Sequence, residues 1–313
     1  DTQGTPPRVS HRRWLILAVL AISLITVVTA VSSLNVALPT LARDLDATSS
    51  DLQWILDAYA LVFAGLLLPA GALGDRFGRR GALQVGLVIF GLAALVASQS
   101  STPEQVIANR AVMGVGAALI MPATLSIILT SFPIHERPKA IAIWAGCAGL
   151  GGALGPISSG LLLEHYSWSS VFFINLPLVA LLLLLSVVVL PTSKDPNGHP
   201  LDPPGAALSV VGLVALVYGV IEGPAKGWTD ATVLGAFVLA AVALSAFVAV
   251  ELRRRDPMLD PRLFRVRGFR AGSLAVTTAF FSMFGMFFLI TQYLQFVKGY
   301  TPLEAGVRTL PSA

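Results

Sequence analysis

LQWILDAYALVFAGLLLPAGALGDRFGRRGALQVGLVIFGLAALVASQ, residues 52–99, holds two apolar runs, 52–74 and 81–99, separated by six residues of which three are arginine. A helix needs about 20 residues to cross roughly 30 Å of hydrocarbon, and each run has that length. Both are continuously apolar, whereas a barrel strand alternates over about ten residues, so both read as membrane-spanning helices. The arginines in the turn mark it as the cytoplasmic side.

Working outward, the same signal recurs at 14–38, 104–131, 139–163, 169–190, 205–223, 230–250 and 271–297, nine spans in all. The fold class is therefore an all-α polytopic membrane protein. Composition agrees, with 55% of residues hydrophobic and 12% charged, against roughly 25% charged in a soluble domain. A net charge of +4 and a pI near 9.5 do not indicate nucleic acid, because the charges sit in short gaps between apolar runs and form no basic face. Arg12 and Arg13 ahead of Trp14 imitate a signal peptide. The run that follows is too long and lacks a small-residue cleavage site, so it reads as a retained first span. The single cysteine, Cys147, excludes an internal disulfide or a Cys-based metal site, and His11, His135, His165 and His199 lack ligand spacing. With no phosphate loop and no nucleophile, base or metal cluster, neither an enzyme nor a cofactor is expected.

Orientation follows from lysine and arginine. With the amino terminus in the cytoplasm, sixteen of the 21 fall in inner segments, against Arg43, Lys226, Lys298 and Arg308 outside and Arg110 within a span. The location is thus the inner (plasma) membrane. A Pro-rich stretch from Pro191 to Pro204 divides the chain, giving a six-helix bundle at 1–190, a loop with two further helices at 191–250, and a basic loop with the start of another bundle at 251–313. The arginines of 251–270 suit anionic head groups or simple topogenic anchoring. Both ends of the chain, Asp1 and Ala313, read as cut.

In the stretch GALGDRFGRR, Gly71, Gly78 and their neighbours let two helix ends approach, Asp75 can cap the following helix, and Arg76, Arg79 and Arg80 can pair with it or with lipid phosphate. A plain basic turn would need only the arginines, not their ordered spacing with glycine and aspartate. The sequence here resembles the major facilitator superfamily, whose signature in this position is G-x-L-x-D-R-x-G-R-R. LNVALP (34–39), WILDAY (54–59), FFINLP (172–177), GVIEGPAKGW (219–228) and QYLQFVKGYTPLEAG (292–306) are similar to its fourteen-helix drug:proton antiporter family. That resemblance implies two six-helix bundles rocking about a midplane site, with the signature as a cytoplasmic latch, two extra helices at 205–223 and 230–250, and five helices absent from the chain.

Arg110 is an intramembrane charge, costly unless paired or hydrated and so a functional candidate; alternatively it snorkels outward. It matches the family's R-x-x-x-G, at Arg110 to Gly114, associated there with proton coupling. Asp57 lies at a similar depth from the same side, and is expected either to form a proton-linked ion pair with Arg110 or to complement its helix dipole with Asp51 as cap. The family's usual first-span acid is replaced by Ala30, which shifts the coupling burden to Asp57 or removes coupling, and weakens any expectation of cationic cargo. The span GCAGLGGALGPISSG has small residues at Gly151, Gly155 and Gly160 beside Pro156, suited to close helix contact and to bending. It resembles the Gly-Pro motif of the family's exporters. Asn35, Gln292 and Gln295 can line a cavity or bind neighbouring helices.

The expected function is export of an amphipathic organic compound in exchange for protons, with membrane lipid as the other partner and no nucleic acid. A solute importer on the same fold, and a fragment or assembly partner that does not transport, are the competing readings.

Overall fold

The computed structural model describes residues 7–194, 202–254, 257, 259–300, 304 and 308. Its helices are α1 (Pro7–Asp44), α2 (Ser49–Phe77), α3 (Arg79–Ala97), α4 (Pro103–Ser131), α5 (Arg137–Leu163), the short α6 (Ser170–Phe173), α7 (Asn175–Val189), α8 (Pro203–Lys226), α9 (Ala231–Arg253) and α10 (Arg267–Gln292). No strand occurs among the described residues. Among the described residues, eight spans, with α6 and α7 counted together as Ser170–Val189, are long and apolar enough to cross a membrane. The 26-residue α10 occupies the place of the ninth.

The helices outrun their apolar windows because polar caps sit at the ends. Thr48 Oγ1 accepts from Asp51 N at 3.2 Å, and Asp51 Oδ2 accepts from Thr48 N at 2.9 Å. This reciprocal capping box starts α2 three residues before its apolar window, and it makes Thr48 the cap with Asp51 as its partner, not Asp51 itself. Thr102 caps α4 in front of Pro103, and Asp202 caps α8.

The principal core runs from Ile16 to Leu190, and Leu20, Leu83, Phe90 and Met113 are fully buried within it. Here α1 packs on α5, and α4 packs between α2 and α3. Glycine permits the closest of these approaches. A Cβ on Gly116 would lie 2.7 Å from Gly86 O and 2.8 Å from Phe90 N, so the backbones of α3 and α4 touch there. Helices α8 and α9 form a hairpin that packs against α2 through α8.

Candidate functional site

Arg110 is completely buried, so it does not snorkel to a surface. Its Nε donates to Ile55 O at 3.0 Å and its Nη1 to Ala30 O at 3.5 Å. The guanidinium carbon stands 4.4 Å from the centre of the Tyr59 ring. Three helices thus converge on one cation: α4 supplies it, α1 and α2 supply carbonyls, and α2 supplies an aromatic face. Among the described residues, neither Arg110 Nη2 nor the Tyr59 hydroxyl has a hydrogen-bond partner, and buried donors of this kind suit a polar ligand atom.

The ion pair expected between Arg110 and Asp57 is not made. Ile55 and Tyr59, one turn apart, carry the face of α2 that holds Arg110. Asp57 lies two residues from each, which is about 200° around the helix. It therefore points away from Arg110 and toward α8. On that face Gln53, one turn before Asp57, donates through Nε2 to Ile221 O of α8 at 3.5 Å. Glu222 is buried and paired with Lys226 Nζ at 3.1 Å. Lys226 also donates to the Tyr218 hydroxyl at 3.2 Å, and the Tyr218 ring lies 6.1 Å from that of Trp54.

The GALGDRFGRR segment is helix rather than loop through Phe77, and Gly78, with φ at +123°, makes the turn into α3. Asp75 does not cap α3, whose N-cap Gly78 has no side-chain bond. Sitting in the last turn of α2, Asp75 instead accepts from Arg79 Nε four residues on, at 2.6 Å. Arg79 N donates to Ser193 O at 3.0 Å and Arg80 Nη1 to Leu190 O at 3.2 Å. Arg76 is exposed and stands over the Phe77 ring. The motif therefore clasps the α2–α3 turn to the end of α7.

Gly151 and Gly155 are buried against α1. Thr29 Oγ1 and Ser32 Oγ both donate to Gly151 O, at 3.2 and 3.0 Å. A Cβ at Gly155 would collide with Ser32 Oγ and approach Ser33 N to 2.6 Å. Pro156 and Gly160 are half-buried within an unbroken α5. Asn35 is exposed on α1 and, among the described residues, donates to the Val31 carbonyl of its own helix. Gln292 and Gln295 lie on helical backbone, but their side chains fall outside the described residues. A cleft of about 430 Å³ between α8 and α9, lined by Val211, Val214, Tyr218 and Leu239 among others, includes none of the residues that the sequence singled out.

Sequence reasoning missed Tyr59, the Ile55 and Ala30 carbonyls, and Glu222. Glu222 carried a signal, an acid inside an apolar run. The carbonyls carried none, since any residue supplies one.

The Major Facilitator Superfamily model matches residues 20–312. The chain is 39% identical to "Multidrug efflux pump LfrA" of Mycolicibacterium smegmatis, covering 99% of this chain and 62% of that protein. It is also 39% identical to "Methyl viologen resistance protein SmvA" of Salmonella typhimurium, covering 96% and 61%, and to "Puromycin resistance protein pur8" of Streptomyces alboniger, covering 99% and 61%. The chain thus spans about three fifths of the length of these relatives. Among solved structures, the POT family transporter PepTSo superimposes with a TM-score of 0.57 at 17% identity, covering 80% of this chain and 54% of that one, a likeness of fold.

Proposed function

From the premise that this chain belongs to the major facilitator superfamily, we propose that it acts in secondary active export, moving an amphipathic organic compound outward in exchange for protons by alternating access. Relatives named for multidrug efflux and for resistance to methyl viologen and puromycin support the export direction and the class of cargo. The observation that carries a mechanism is the buried Arg110, held by carbonyls of two other helices. A charge in that position locks α1, α2 and α4 into one body, as a bundle that rocks rigidly about a central site requires.

Proton coupling falls to Asp57, a half-buried acid on the other face of α2. In this reading a proton neutralises Asp57 in one state and leaves it in the other, and the difference between states drives the exchange. The clasp of Asp75, Arg79 and Arg80 onto Ser193 and Leu190 fixes the cytoplasmic ends of α2, α3 and α7, so that they move together. The amino terminus is cytoplasmic, since sixteen of 21 lysines and arginines then lie inside. Anionic lipid faces the arginines of 251–270.

The test is ethidium efflux from cells expressing the protein, with and without a protonophore. Export that the protonophore abolishes, and that Asp57→Asn uncouples from the proton gradient, is expected. Protonophore-resistant efflux, or Asp57→Asn transport that still follows the gradient, would remove proton exchange from the account.

A further inference from the structure

We propose that the cleft between α8 and α9 binds one zwitterionic phospholipid, with an acyl chain along the cleft and the head group at the turn that joins the two helices. The inference goes beyond the export reading and does not depend on it. The cleft, of about 430 Å³, is walled by Val211, Val214 and Leu239 and includes Gly235, where an added Cβ would find nothing within 4 Å. Val211 and Leu239 are also exposed, so the cleft opens on the apolar outer surface of the hairpin, a surface suited to lipid. From Tyr218 to Val210 it follows α8 for eight residues, and from Thr232 to Leu239 it follows α9 for seven. At ~1.5 Å per residue these are lengths of about 10–12 Å. Half of the hydrocarbon layer is about 15 Å thick, so the cleft fits a chain running through a single leaflet.

The two polar residues of the lining lead to charges at the turn. The Tyr218 hydroxyl accepts from Lys226 Nζ at 3.2 Å, and Thr232 N donates to Asp230 Oδ1 at 2.8 Å. Lys226 also pairs with Glu222 at 3.1 Å, yet its side chain is 43% exposed. Among the described residues those two contacts occupy two of its three N–H groups, and the third is directed to an outside acceptor. Trp228, exposed in the turn, belongs to the aromatic belt that marks a membrane–water boundary. An apolar helix would fill the cleft but leave Lys226 and Asp230 unanswered. A phospholipid brings chain and phosphate in one molecule, and a zwitterionic one adds an ammonium for Asp230. A purely anionic head group would meet two carboxylates, Glu222 and Asp230, against one ammonium, and be repelled on balance.

Each part of the site has its own variant. Gly235→Phe places a ring in the cleft with no protein atom in the way of its Cβ, and so competes with the chain. Lys226→Gln removes the contact with phosphate, which is worth about fivefold in affinity for one basic residue near a membrane surface; blocking the cleft should cost at least as much. Asp230→Asn removes the partner of the lipid ammonium, and with it the preference for a zwitterionic over an anionic head group.

The measurement is native mass spectrometry of the purified, delipidated full-length protein, titrated with phosphatidylethanolamine and, in competition, with phosphatidylglycerol of the same chains; the affinity of the first lipid bound is read. Phosphatidylethanolamine bound in preference by the parent, and weakened by Gly235→Phe and by Lys226→Gln, is the expected result. Unchanged binding in Gly235→Phe overturns the inference, and if that variant also melts lower, protein and not lipid occupies the cleft. Phosphatidylglycerol preferred by the parent, or a preference that Asp230→Asn leaves intact, overturns the head-group assignment. Should Gly235→Phe fail to fold, Lys226→Gln, at an exposed side chain, still decides, because unchanged affinity there removes the phosphate contact. No efflux is measured, so a negative result leaves the export reading standing.

Discussion

Arg110→Met separates a structural role from a functional one. Truncating the guanidinium removes a charged hydrogen bond to Ile55 O, worth about 1.5–3 kcal/mol, and the contact with the Tyr59 ring, worth up to about 2 kcal/mol when desolvated; the longer bond to Ala30 O adds little. Against this stands the cost of keeping a cation inside the bundle, about 2.5–3.5 kcal/mol on the membrane-insertion scale and more by other estimates. Methionine fills most of the same volume and adapts its shape. The two orphaned carbonyls stay within the hydrogen-bonded ladders of α1 and α2, and no buried charge is left unpaired, so the opposing terms nearly cancel. The expected change in stability is within about 2 kcal/mol in either direction, and at about 2–4 °C per kcal/mol the melting temperature should move by less than about 8 °C. Transport should be lost by tenfold or more, because the cation that joins α1, α2 and α4 has gone. The assays are thermal unfolding of purified protein and ethidium efflux from cells. A variant that melts far below the parent would make Arg110 a structural strut; one that melts normally and still exports would take Arg110 out of the mechanism.

Gly116→Val should destabilise by about 1–3 kcal/mol, because backbone atoms of Gly86 and Phe90 bar its Cβ; Gly152→Ala, with nothing within 4 Å of the added carbon, should be neutral or slightly stabilising, and equal melting temperatures for the two would contradict the close approach of α3 and α4. Asp75→Asn breaks the pair that the Asp75 carboxylate, 44% exposed, makes with Arg79, so the cost in stability should stay under about 1 kcal/mol while efflux drops several-fold; unchanged efflux would reduce the clasp to a topogenic turn. Asp230 lies just outside α9, and its bonds from Thr232 hold its carboxyl below the usual range. Its folded value being the lower, its contribution is present above the ordinary carboxylate value and fades as pH falls through the depressed one. Asp230→Asn should flatten that part of the acid limb of thermal stability, and an unchanged limb would show that the cap does not contribute to it.

The nine spans were legible because a membrane demands a length of apolar chain and supplies no alternative satisfaction for the backbone. Their ends were less so. Thr48 and Thr102 extend α2 and α4 past the apolar windows by capping, and GALGDRF stays helical because only Gly78 adopts the positive φ that turns the chain.

What could not be read was azimuth. Asp57 and Arg110 share a depth, and depth follows from counting along a run, yet their pairing also required a shared face. In a soluble helix the apolar stripe reveals which face is inward. In lipid both the inside and the outside of a bundle are apolar, so that marker is weak, and α4, with the most deeply buried cation, has hardly any apolar asymmetry along its length. The remaining azimuthal signals are small or polar residues at helical spacing. Ile55 and Tyr59 gave no such sign, whereas Gly151 and Gly155 did, and those two glycines do lie against α1. Gln53 and Asp57 are also four apart, as are Glu222 and Lys226. Two polar pairs at that spacing on two helices already mark the faces along which α2 and α8 meet. A pair of polar residues one turn apart is therefore more informative about a membrane bundle than a single intramembrane charge, because it specifies direction as well as depth.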